Sequence, residues 1–83
     1  MNSEHVFETT LVLSTGHMPE ERPDFGHFRK TEHEFGWMVW ISPVGISPLW
    51  IRPAVQYALK NSCTMILFDR DALKVDHLQL WDW

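Results

Sequence analysis

Two short polar stretches hold the residue types that could do chemistry. Ser14-Thr15-Gly16-His17 sets two hydroxyls beside an imidazole, and Asp69-Arg70-Asp71 sets two carboxylates around a guanidinium. An imidazole with two carboxylates is a ligand set for a divalent metal. Ser, His and Asp in one place are alternatively the parts of an activated nucleophile. Each stretch follows an apolar run, and ligands of parallel sheets bind beyond the carboxyl ends of the strands. His17, Asp69 and Asp71 could therefore share one rim with Ser14 and Thr15, in a small metal-dependent hydrolase. The plainer reading is turn chemistry, in which Ser-Thr-Gly closes a strand and the two aspartates cap turns or pair with Arg70. No G-x-S-x-G, P-loop, dinucleotide glycine pattern, CxxC or HExxH occurs. His5, His27, His33 and His77 show no ligand spacing. The plainer reading therefore leaves the chain without a catalytic residue, a metal or a cofactor.

A second set of residues suits recognition. Trp and Arg dominate the energetics of protein interfaces. The chain has five tryptophans, Trp37, Trp40, Trp50, Trp81 and Trp83, and a core this small hardly buries five indoles. Trp50 lies beside a proline loop and near Arg52, and Trp81-Asp82-Trp83 closes the sequence. Trp50, Arg52, Trp81, Asp82 and Trp83 are the candidate protein interface, with Trp50 expected to be the most exposed indole and Trp83 the next. In a terminal strand Trp81 and Trp83 would share one face and could instead close the core.

The elements that must position these residues follow from patterning. Val6 to Ser14 reads as a strand. Pro19, Glu20 and Glu21 suit a first helical turn, so a helix is expected somewhere between residues 19 and 34, although Pro23 and Gly26 shorten it. Phe25 and Phe28 would be its buried residues. Phe35 to Ser42 is a strand with Trp37, Val39 and Ile41 on one side and Met38 and Trp40 on the other. Both sides are apolar, so it should lie centrally with cover on both. A loop of two prolines and Gly45 leads to a helix capped at Ser47, with Pro53 in its first turn and Ile51, Val55, Ala58 and Leu59 as its core stripe. It should end near Lys60-Asn61, with Asn61 in the left-handed conformation. Thr64 to Asp71 is a second central strand, and Leu78 to Trp83 a last one at an edge. The expected fold is α/β: one domain over residues 1–83, a small mixed four-stranded sheet with two helices, in the order β-α-β-α-β-β.

Composition narrows the function classes. Seven basic and eleven acidic residues give a formal net charge of −4, and Arg29-Lys30 is the one adjacent basic pair. A nucleic-acid ligand needs a basic footprint, which is lacking. No apolar run approaches the roughly 20 residues of a membrane helix. The first ten residues lack the basic start and apolar stretch of a signal peptide. The single cysteine, Cys63, cannot form an internal disulfide and is expected to fill a small apolar space at a helix end. These features point to a cytoplasmic protein that binds protein, with a homodimer as another use of the same surfaces.

The motifs carry a resemblance. Ser14-Thr15-Gly16-His17 after the first strand, Gly36-Trp37 in the middle, and Asp69, Asp71, Asp76, Leu78, Asp82 and Trp83 at the end resemble the DUF5983 family. The resemblance spans most of the chain except Arg22 to Glu34, where Pro23 and Gly26 depart from a steady helix. It implies no reaction and no cofactor. It implies a setting on plasmids, phages and other bacterial mobile elements. The expected role is an inhibitor or accessory factor acting on a host defence complex, of the anti-CRISPR kind, through an aromatic and acidic surface.

Overall fold

The computed structural model describes residues 9–43 and 45–83. The strand expected over residues 6–14 is seen as β1, Thr10–Ser14; positions 6–8, like Val44 of the proline loop, lie outside the described residues. A hairpin follows, β2 over Arg29–His33 and β3 over Gly36–Trp40. Helix α1 covers Arg52–Lys60, and β4 covers Met65–Asp69. The four strands form one mixed sheet in the order β1-β4-β3-β2, with β1 parallel to β4 and the other pairs antiparallel.

The small mixed α/β sheet matches the expectation; the element order does not. No helix forms between residues 19 and 34. The segment runs irregularly to residue 28 and then becomes β2. Pro23 cannot donate to a helical ladder, and Gly26 adopts the left-handed region at φ 63° inside a turn that Asp24 closes by accepting from the Gly26 N–H. Phe25 and Phe28 are buried, as expected, but from a turn. The tight hairpin then imposes strand geometry on the polar sequence Arg29 to His33, whose pairing with β3 replaces helical hydrogen bonds. Gly36 opens β3 because a Cβ there would stand 1.8 Å from the Phe68 carbonyl oxygen of β4.

Helix α1 carries Pro53 in its first turn, where a missing N–H costs nothing. Ser47 does not cap it. A 3-10 turn over Leu49–Ile51 leads in, and the Ser47 carbonyl accepts from Arg52 Nε instead. At the other end the left-handed residue is Ser62, at φ 60°, one position beyond Asn61. Ser62 N–H donates to the Leu59 carbonyl and Cys63 N–H to that of Ala58, which closes the helix end. Cys63 is buried there, in the small apolar space expected of it. Ile51, Val55 and Ala58 face the core, and Leu59 lies at the surface.

The final strand expected over Leu78–Trp83 is absent. Residues 79–83 form an irregular tail beside the 3-10 turn Thr15–His17. The tail is tied by side-chain bonds and by Trp81 N–H to the Gly16 carbonyl, so it needs no ladder. Helix α1 and the segment 18–28, with Leu78 just before the tail, pack against one face of the sheet, on Leu13, Val39, Ile66 and Phe68.

Candidate functional site

His17 is the first test of the rim. It is 3% exposed, and both ring nitrogens are engaged by backbone. Nδ1 lies 2.9 Å from the Gln79 carbonyl oxygen, which only accepts, so Nδ1 carries the proton. Nε2 accepts from the Val75 N–H at 2.9 Å. The imidazole is thus a neutral bridge between the 3-10 turn and the chain from Val75 to Gln79, with no lone pair left for a metal or for a hydroxyl proton. Ser14 Oγ caps the 3-10 turn by accepting from Gly16 N–H. Asp69 Oδ1 accepts from Asp71 N–H, and Asp69 O from Ala72 N–H, which is turn closure; the Asp71 side chain is exposed. Among the described residues no group of three or more His, Cys, Asp or Glu side chains is placed to hold a metal.

The tryptophans divide. Trp50 is half-buried, packed on Phe25 and Phe68 and edge-on to Trp81 at 6.4 Å. The structure therefore joins Trp50 to Trp81, in the core margin. Trp83 is 56% exposed, so the two exposure ranks are reversed. Arg52 and Asp82 are exposed. Three indoles share a task. Trp83, Trp37 and Trp50 donate Nε1–H to the carbonyls of Met18, Glu21 and Asp24, at 2.8, 3.0 and 2.6 Å. These carbonyls recur every third residue along the segment 18–28, which lacks regular structure. An indole both buries a ring and donates one hydrogen bond. The three thus hold a loop that has no ladder of its own. Between the loop and the hairpin lies a polar cleft of about 340 Å³, lined by Glu21, Arg22, Glu32, Arg70, Trp37 and Trp83 among others. Arg22 pairs with Glu32 there at 3.1 Å, and Arg70 lies over the Phe35 ring.

The opposite face of the sheet is the surface that the sequence reading missed. Register and strand alternation place Thr10 and Val12 of β1, Met65 and Leu67 of β4, Met38 and Trp40 of β3, and Arg29 and Thr31 of β2 on one side. Among the described residues neither helix nor loop covers them. Val12 is 48% exposed, and Met38, Trp40, Met65 and Leu67 are half-buried by one another. Met38, Trp40, Met65 and Leu67, with Thr31 and His33, line a shallow apolar groove of about 520 Å³. Arg29 lies over the Trp40 ring, 4.7 Å from its centroid. The alternation of Met38 and Trp40 with Trp37 and Val39 is a two-sided apolar strand in the sequence. The signal for bareness was the weakness of the first helix, since α1 and the segment 18–28 share the other face.

The family described as "Family of unknown function (DUF5983) C-terminal domain" matches residues 10–83. This chain belongs to the DUF5983 family. The matched span takes in the whole sheet, α1 and the tail of this DUF5983 domain. Neither the curated proteins nor the solved structures contain a match to it. Among its described residues no helix is long and apolar enough to cross a membrane.

Proposed function

We propose that this DUF5983 chain is a protein-binding domain and not an enzyme, and that the open sheet face receives the partner. The observation that carries this reading is the bare apolar face of Val12, Met38, Trp40, Met65 and Leu67. Sheets with one apolar face ordinarily cover it, and exposed contiguous apolar surface marks an interaction site. Two methionines make such a face adaptable, and Trp40 supplies an aromatic anchor. The partner this suits is a protein with a weakly charged apolar surface.

In the mobile-element setting that the family resemblance implies, such a domain acts in the cytoplasm as an inhibitor or accessory factor of a host defence complex. Trp83, exposed at the mouth of the polar cleft, with Asp82 beside it, supports a second and smaller contact. What weighs against the metal-dependent hydrolase is His17, whose two nitrogens are already engaged. Capture from a bacterial lysate with the tagged chain and its Trp40→Asp, Leu67→Asp and Trp83→Ala variants tests the reading. One stoichiometric partner, lost in the first two variants and kept in the third, is the expected result. A partner retained by both aspartate variants contradicts it.

A further inference from the structure

We infer that a second copy of this chain closes the open face, sheet against sheet, in a two-fold dimer that partner binding must displace. The inference rests on the reading of that face as a protein-docking surface and names its first occupant.

Charge is the first argument. The chain has eleven acidic and seven basic residues, so two copies repel through most of their surface. From the strands, only Arg29 and Asp69 put full charges on the open side, at its two ends. Between them lie Thr10, Val12, Thr31, Met38, Trp40, Met65 and Leu67, and the His33 imidazole of β2 at the Asp69 end is the one other ionisable group that the strands put on this side. This is the side on which like molecules meet without penalty. A strongly charged partner finds nothing complementary there.

Area is the second argument. Four strands about 4.8 Å apart, each five residues long at about 3.3 Å per residue, cover roughly 320 Å² in projection. Two such faces stacked about 10 Å apart cover roughly 640 Å² in projection, and more once side-chain relief is counted. That lies below the roughly 1,200 Å² of standard interfaces, in the range of weak, exchangeable association.

Topology is the third. In the order β1-β4-β3-β2, a two-fold axis along the strands sets each β4 over the other copy's β3. Leu67 then meets the partner's Met38, and Met38 meets the partner's Leu67, so the most apolar row of the sheet covers itself. An isologous contact of this kind closes at two copies and does not propagate.

Sedimentation velocity over about 1 to 500 μM protein tests the inference, because a weak dimer is concentration-dependent. The wild-type chain should shift from one to two chain masses across the range. Leu67→Asp and Val12→Asp should remain single chains, each at least about 100-fold weaker in association, with unchanged far-ultraviolet dichroism. Val12, on an edge strand and half exposed, keeps the test valid if Leu67→Asp does not fold. The apolar dye anilinonaphthalene sulfonate separates two failures. A wild-type chain that stays single throughout and binds the dye, with binding lost in Val12→Asp, overturns the dimer and leaves the docking face standing. A single chain that binds no dye overturns both. A dimer that survives both aspartates overturns the assignment of this face.

Discussion

At the scale of residues, the groups that look most chemical are structural. His17 donates to one backbone carbonyl and accepts from one backbone N–H, across 62 and 58 residues of sequence. Removing its ring leaves both backbone groups without a partner inside the protein and opens a cavity. His17→Ala should therefore cost about 2–4 kcal/mol. For a domain of this size that lowers the melting temperature by more than about 10 °C, readable by calorimetry. A variant that melts like the wild type would show that the bridge is not needed. Ser62 is the opposite case. A non-glycine residue at φ 60° is strained by about 1 kcal/mol, and Gly relieves it at a helix end. Ser62→Gly should raise stability by up to about 1 kcal/mol in urea unfolding, with an unchanged denaturant slope. Nothing local in the sequence marked His17 as a bridge, because its partners, Val75 and Gln79, are backbone groups from the far end of the chain.

At the scale of elements, the segment 18–28 tests how a loop is held without a ladder. Trp37, Trp50 and Trp83 each give it one indole hydrogen bond. Replacing any one with Phe keeps most of the ring and removes the donor, at about 1 kcal/mol. Because all three act on one segment, the triple variant should lose more than the sum of the singles, by about 0.5 kcal/mol or more. Strict additivity in urea titrations would mean that the three clips are independent. Gly36→Ala is the sharper test of the hairpin. A Cβ 1.8 Å from a backbone oxygen cannot be accommodated, so β3 must separate from β4 and the far-ultraviolet dichroism of the sheet should collapse. The apolar runs of β1, β3 and β4 and the stripe of α1 were legible in the sequence, since period and β-branching report them directly. The polar strand β2 was not. Arg29 to His33 has no apolar alternation, and only its pairing with β3 makes it a strand. The tail misled in the other direction: Leu78 and Leu80 fall on one side of an extended chain and Trp81 and Trp83 on the other, yet the bonds that hold it go to the His17 ring and to the Met18 and Gly16 carbonyls, not to a neighbouring strand.

At the scale of the whole molecule, the consequence of losing the first helix is a sheet that the described residues cover on one side. The sequence shows that β3 and β4 are apolar on both faces, but not whether cover comes from this chain. With one helix in place of two, the face of Met38, Trp40, Met65 and Leu67 is left for another molecule. The site was therefore half legible: its residues stood out as core, and their role depended on an element that does not form. The family match adds no activity to this reading. The most direct test of the bare face uses the methionines as reporters. Met38 and Met65 lie on it, whereas Met18 is 1% exposed in the core. Brief oxidation with dilute peroxide, read peptide by peptide in the mass spectrometer, should convert Met38 and Met65 at least about tenfold faster than Met18 in dilute protein, since sulfoxide formation follows exposure. Raising the protein concentration should slow Met38 and Met65 and leave Met18 unchanged. Met38 and Met65 reacting as slowly as Met18 in the dilute chain would contradict the account, because the face would then already be covered.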